Sequence, residues 1–102
     1  MRRVVVTGLG AISPLGNSVE DNWNSLLDNK SGIKKITKFN VEGYPCKIAG
    51  TIDDDLIDEN IVPLREQRRI DRFITLGMIA AHEAFTDADF IPNDEQANRY
   101  GV

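Results

Sequence analysis

The chain has 102 residues, of which 16 are Asp or Glu and 12 are Lys or Arg, so its formal net charge is −4 at neutral pH. That length allows one small domain, and the acidic balance argues against nucleic-acid binding, which needs a basic field. The single cysteine, Cys46, excludes an internal disulfide and fits a reducing, cytoplasmic setting. No segment approaches the roughly 20 apolar residues of a membrane span, so no membrane contact is expected.

The first element is a β-branched run that leads into glycines, VVVTGLG over residues 4–10. Such a run is typical of a strand buried on both faces, and we predict a strand over residues 3–8. The Gly-x-Gly that follows begins like a dinucleotide-binding loop, but Ser13 stands at the third glycine position. The pattern therefore favours glycines that let the backbone turn tightly beside a neighbouring strand, rather than a phosphate site.

A helix is predicted next, over residues 18–30. Either Asn17 or Ser18 has the side chain expected of its N-cap. Apolar side chains then recur at the spacing of one helix face: Val19, Trp23, Leu26 and Leu27. Lys30 and Gly32 are expected to mark the end of the helix, as a cation for the dipole and a glycine for the left-handed cap.

Residues 33–52 predict short extended pieces, with a second strand over residues 47–52. The acidic run over residues 53–55 is predicted to be a solvated turn, because a metal site would need more ligands at defined spacing. The sequence therefore predicts neither a metal site nor a bound cofactor.

The longest predicted element is a helix over residues 63–87, and Pro63 suits its first turn. Its middle is apolar on nearly every side, which is typical of a helix buried within a larger body. Small side chains on this helix would let another element approach closely: Gly77, Ala80, Ala81 and Ala84. A helix-like piece over residues 93–98 follows, and the pattern of a further strand begins before Val102, so we expect an interrupted sequence rather than a finished domain.

Three arginines, Arg65, Arg68 and Arg69, stand at i, i+3 and i+4 near the predicted start of the long helix. Cations at a helix N-terminus oppose the dipole, so something should compensate them, and an external acidic partner is one possibility. The alternatives are a solvated face or internal pairing, for example of Arg68 with Asp71. Arg72 extends the row by one turn, but it ranks lower because it is more easily paired inside the fold.

Three segments together carry a family resemblance: RRVVVTGLGAISPLGN at 2–17, SGI at 31–33 and REQRRIDRFI at 65–74. In this order they resemble the amino terminus of the β-ketoacyl-acyl carrier protein synthases, most closely the type II synthases of bacterial fatty acid synthesis. The resemblance covers essentially the whole chain. It implies an α/β chain, the N-terminal part of a thiolase-like layered α/β/α/β/α fold. It also implies a homodimer that condenses an acyl thioester with malonyl-acyl carrier protein and releases carbon dioxide.

The resemblance also implies what this chain lacks. The family's nucleophilic cysteine and its two histidines come after the position of Val102, so we expect the chain alone to be inactive. Cys46 lies beside a predicted strand and is expected to be a half-buried small hydrophobe. His82, the only histidine, is expected to be a surface or groove-lining residue of the long helix, because it has no catalytic partner.

The family's basic residues at the positions of Arg65, Arg68 and Arg69 contribute to docking of acyl carrier protein, a small and strongly acidic protein. The resemblance therefore implies the same role for these three arginines. A hypothesis from a different class remains beside it, in which the chain is a stand-alone module that binds an acidic protein through this arginine face.

Overall fold

The computed structural model describes residues 1–102. The chain forms three α-helices: α1, Val19–Leu27, α2, Leu64–Gln67, and α3, Arg72–Asp87. Two short strands, β1, Ile33–Lys35, and β2, Ile48–Gly50, pair antiparallel with Lys34 opposite Ala49. Two 3-10 helices complete the set, Asp54–Leu56 and Asp94–Arg99. This content is that of an α/β chain, and none of the helices combines the length and apolar character that a membrane span requires.

Helix α1 begins at one of its two predicted N-cap residues and ends earlier than predicted. The Ser18 hydroxyl oxygen accepts a hydrogen bond from the Asp21 N–H at 3.1 Å, so Ser18 is the N-cap. At the other end Asn29, not Gly32, takes the left-handed conformation, with φ of 55°. The Lys30 N–H then donates to the Ser25 carbonyl at 2.9 Å, which closes the helix.

The single helix predicted over residues 63–87 is wrong, because residues 68–71 divide it into α2 and α3. Asp71 has extended backbone, with φ −68° and ψ 148°, and its carbonyl accepts the N–H groups of Ile74 and Thr75. The turn between the helices brings Ile70 against the small apolar core. This tertiary contact outweighs the helical periodicity that continues across the break.

The strand predicted over residues 3–8 does not form in this chain. No backbone group of residues 1–8 takes part in a hydrogen bond, and the only paired strands are β1 and β2. A strand needs a neighbouring ladder, and β-branched residues alone cannot supply one. Val4 is 95% exposed and Val6 is 77% exposed, so no other part of the chain covers these apolar side chains.

Gly8 and Gly10 lie against helix α3 rather than against a strand, which corrects the predicted neighbour. A Cβ at Gly8 would overlap the carbonyl oxygen of Ala84, and one at Gly10 would overlap the carbonyl oxygen of Ala80. The small residues of α3 thus allow the close approach that their size predicts. Gly77 makes no such contact, because a Cβ there would meet nothing within 4 Å.

The C-terminal piece is a 3-10 helix where the sequence predicts a helix-like turn. The Asn93 side chain accepts a hydrogen bond from the Gln96 N–H at 3.0 Å and so caps it. Three aromatic rings pack beside it, with Phe90 stacked on Phe85 at 5.6 Å between centroids and edge-on to Tyr100 at 5.2 Å. These contacts hold the end of the chain on the last turns of α3.

The buried core is small for a chain of this length. Five residues are buried: Val41, Ile57, Val62, Thr75 and Ile79. The accessible surface is 8643 Å², whereas a compact monomer of this mass has about 5800 Å². The radius of gyration is 17.1 Å, against about 13 Å for a compact domain of this length. Phe73 on α3 remains 72% exposed, so this helix leaves much of its apolar surface uncovered.

Candidate functional site

Arg65, Arg68 and Arg69, which we call the arginine cluster, lie on α2 and in the turn directly after it. The Arg68 N–H donates to the Leu64 carbonyl at 3.3 Å, and the Arg69 N–H donates to the Glu66 carbonyl at 2.9 Å. The helical path therefore continues through both arginines and keeps the three near one another. All three residues are exposed.

No member of the arginine cluster has an acidic partner within the chain. The four ion pairs of the chain involve other cations: Lys30, Lys34, Lys38 and Arg72. The alternative in which Arg68 pairs with Asp71 is therefore not the one that the structure adopts. The three guanidinium groups are left without an internal counterion.

The predicted dipole penalty does not apply to Arg68 and Arg69, because the helix is divided and both residues come at the end of α2. Arg68 is the C-cap of α2 and Arg69 follows it, whereas Arg65 is the second residue of this one-turn helix. A cation near the C-terminus of a helix is favourable rather than unfavourable. The interest of the cluster thus lies in its exposure and in its missing internal counterions.

Arg72, which follows the cluster in sequence, is engaged inside the fold. One guanidinium nitrogen donates to the Asp54 carboxylate and the other donates to the Ile52 carbonyl. The Lys38 ammonium donates to the same carbonyl at 2.8 Å and lies 3.5 Å from Asp54. Arg72 is therefore distinct from the three unpaired arginines, in keeping with its lower rank.

The charge state of Asp54 reflects these partners. The hydrogen bond from Arg72 lowers the pKa of Asp54 below its ordinary value, and partial desolvation opposes this shift. The charges of Arg72 and Lys38 add to the lowering. Asp53, its neighbour, lies 3.5 Å from Lys34. The acidic turn is thus paired with cations at two of its three residues, where the sequence predicts a turn that is only solvated.

Sequence reasoning missed two carboxylates that attach the glycine-containing loop to α3. Glu83 accepts hydrogen bonds from the N–H groups of Ala11 at 2.9 Å and Val19 at 3.1 Å. Asp87 accepts one from the Leu9 N–H at 3.0 Å. Backbone N–H groups of this kind are the donors that a phosphate would need. Because carboxylates of the chain already engage them, the loop does not offer the cradle of a dinucleotide site.

Cys46 and His82 do not form a catalytic pair with any group in the chain. Cys46 is exposed rather than half-buried, and its thiol donates to the Ile48 carbonyl at 3.3 Å. Its position ahead of the three-residue strand β2 leaves it without a covering layer. His82 is exposed on α3 and lines a shallow depression with Phe85 and Phe90, as predicted, and its imidazole makes no hydrogen bond.

Comparison with known proteins matches the whole chain to one protein family. The family described as "Beta-ketoacyl synthase, N-terminal domain" matches residues 1–102. The 3-oxoacyl-[acyl-carrier-protein] synthase 2 of Staphylococcus aureus (strain N315) is 43% identical over 101 residues, which cover 99% of this chain and 24% of that protein. The synthases 2 of Coxiella burnetii and Synechocystis sp. are 43% and 37% identical over 102 and 101 residues, with the same coverage. The chain thus spans about a quarter of the length of the curated relatives it matches.

Proposed function

The chain belongs to the β-ketoacyl synthase N-terminal domain family, and on that premise we propose that it works as the amino-terminal part of a 3-oxoacyl-[acyl carrier protein] synthase. The proposed reaction is the decarboxylative condensation of an acyl thioester with malonyl-acyl carrier protein in fatty acid elongation. The observation that carries this proposal is the match over 99% of the chain to synthases 2 at up to 43% identity. A cytoplasmic homodimer with a thiolase-like layered α/β/α/β/α fold is the assembly we propose.

The uncovered apolar surface supports a role as part of a larger body. Val4 is 95% exposed and Phe73 is 72% exposed, although burial of either side chain away from water would lower the free energy of the protein. Exposed apolar surface on this scale marks a contact with other polypeptide. In the proposed enzyme, the strand sequence over residues 3–8 gains its neighbouring strands and α3 is covered by further layers.

The chemistry of condensation is not assigned to this chain. A nucleophilic cysteine needs a helix N-terminus or a nearby base that favours the thiolate. Cys46 has neither, since it precedes strand β2 and its thiol donates to a backbone carbonyl. We therefore propose that the 102-residue chain alone does not catalyse the reaction.

The part of the function that we assign to this chain is the docking of acyl carrier protein by the arginine cluster. Arg65, Arg68 and Arg69 present exposed positive charge that no acidic group of the chain neutralises. Such a surface attracts an acidic protein, raises the rate of encounter and fixes the orientation of the partner.

A chimeric synthase tests the proposal. In it, this chain replaces the matching segment of the Staphylococcus aureus relative. We expect the chimeric synthase to condense acyl thioesters with malonyl-acyl carrier protein, whereas the 102-residue chain alone shows no activity. A chimeric protein that folds and is dimeric but does not condense would contradict the assignment.

The second candidate, a stand-alone module that binds an acidic protein, is favoured by the unpaired state of the arginine cluster alone. Titration of the isolated chain with acyl carrier protein, combined with its sedimentation behaviour, separates the two. Tight, saturable and salt-sensitive binding by a folded monomer would favour the module. Our proposal predicts weak binding and self-association, because the exposed apolar surface lacks its cover.

A further inference from the structure

Arg72 belongs to a second charged group close to the arginine cluster. This group, which we call the Asp54 node, consists of Asp54, Arg72, Lys38 and the Ile52 carbonyl. Arg72 follows Arg69 by three residues, so their Cα atoms lie within about 11 Å of each other. The Arg72 guanidinium donates to the Asp54 carboxylate and to the Ile52 carbonyl. The Lys38 ammonium shares both acceptors, at 3.5 Å from the carboxylate and 2.8 Å from the carbonyl.

The Asp54 node is accessible to a partner that reaches the arginine cluster. The Arg72 side chain is 42% exposed and the Asp54 side chain is 74% exposed. Exposed ion pairs are weak, because water and salt screen them. A carboxylate of a docked protein can therefore compete with Asp54 for the Arg72 guanidinium.

We propose that Asp54 is an internal competitor of the acidic partner, which holds Arg72 back and limits docking to the three arginines of the cluster. The inference rests on the proposed function, in which that cluster docks acyl carrier protein. When Asp54 is neutral, Arg72 can turn toward a partner carboxylate and adds a fourth contact. Arg72 and Lys38 both keep the Ile52 carbonyl as an acceptor when Asp54 is neutral, and each loses its contact with the Asp54 charge. An Arg72→Ala background therefore shows which of the two cations adds the contact.

Asp54→Asn is the direct test. It keeps the shape of the side chain and removes the charge that holds Arg72. We expect binding of acyl carrier protein to tighten by about threefold, the size of one added exposed ion pair. The salt dependence of binding should also become steeper, because one more charge pair forms across the interface.

Asp55→Asn is the matched control, since Asp55 is the next residue, is exposed and takes part in no ion pair. It removes the same charge from nearly the same place without releasing a cation. We expect it to tighten binding by no more than about 1.5-fold, the effect of one distant charge screened by water. In an Arg72→Ala background, Asp54→Asn should produce no larger gain than this control.

The measurement is fluorescence anisotropy of labelled acyl carrier protein titrated with the chimeric synthase at low and at physiological salt. The same variants in the chimeric synthase give kcat/KM for a carrier-protein thioester relative to a small thioester. Equal gains from Asp54→Asn and Asp55→Asn, or a gain that persists without Arg72, would overturn the role of Asp54. Arg68→Glu is measured alongside: if it weakens binding while the two aspartate variants behave alike, only this inference fails. If Arg68→Glu has no effect, the docking assignment fails and takes the inference with it.

Discussion

The carboxylate of Glu83 on α3 accepts the Val19 N–H at 3.1 Å, so the first turn of α1 is capped by a residue 64 positions further along the chain. The same carboxylate accepts the Ala11 N–H at 2.9 Å. An anion is favourable at a helix N-terminus, where backbone donors lack partners. This one side chain therefore joins the glycine-containing loop, α1 and α3.

Replacing Glu83 should loosen that attachment. Glu83→Ala leaves two backbone donors without their acceptor and should lower the free energy of unfolding by about 1–3 kcal/mol. Glu83→Gln keeps an acceptor oxygen and should cost about half as much. Denaturant titration of the chain and hydrogen exchange at the Ala11 and Val19 amides are the measurements. The control is Glu66→Ala, which removes an exposed acid of α2; equal effects of the two alanine variants would show that Glu83 does not anchor the loop.

Two glycine-to-alanine substitutions should act in opposite directions. Gly10→Ala forces a Cβ into the carbonyl oxygen of Ala80 and should destabilise the chain by about 1–3 kcal/mol. Gly77→Ala meets open space in the interior of α3 and should stabilise it by about 1 kcal/mol through helix propensity. Thermal unfolding of both variants measures the difference. Destabilisation by Gly77→Ala in the isolated chain would mean that α3 is covered there, contrary to the structure.

The Asp54–Arg72 pair should make the free energy of unfolding of the chain depend on pH in the acidic range. The pKa of Asp54 is lowered in the folded chain, so its contribution is complete above the pKa of the unfolded chain, about 3.9. That contribution is lost as the pH falls through the lower folded value. The stability difference between the wild type and Asp54→Asn should therefore be constant from about pH 5 to 7 and shrink below about pH 4.

Denaturation midpoints at neutral and acidic pH measure this difference, which should be small because the pair is exposed. Arg72→Ala removes the same pair from the other side and should flatten the acid dependence in the same way. If the difference in stability between the wild type and Asp54→Asn were the same at pH 7 and at pH 3, that result would contradict the pairing.

Local features of the fold are predictable because short-range chemistry decides them. Ser18 caps α1 since its hydroxyl oxygen reaches an N–H three residues on, which a sequence pattern can express. The small residues of α3 likewise predict a close neighbour, and Gly8 and Gly10 are that neighbour. What the pattern does not contain is the direction of approach, which is why the glycine pattern predicts a strand as the neighbour where the structure has a helix.

Features that depend on distant residues are not predictable in this way. The helical periodicity continues through residues 68–71, and the break there accompanies a contact of Ile70 with the core, which the local pattern does not express. The strand over residues 3–8 needs a ladder that local propensity cannot provide. At the candidate site, the i, i+3, i+4 spacing places Arg65, Arg68 and Arg69 together. Spacing cannot show that Asp54, 18 residues before Arg72, pairs with it.

The most direct test of the account is charge reversal at Arg68 in the chimeric synthase, with kcat/KM measured for a carrier-protein thioester and for a small thioester. We predict that Arg68→Glu lowers kcat/KM about tenfold for the carrier-protein substrate and leaves the small thioester unchanged, because in the proposed function only the former docks on the cluster. Arg99→Glu, an equal charge change at an exposed arginine outside the cluster, should affect neither substrate. Equal losses on both substrates with Arg68→Glu would contradict docking at the arginine cluster.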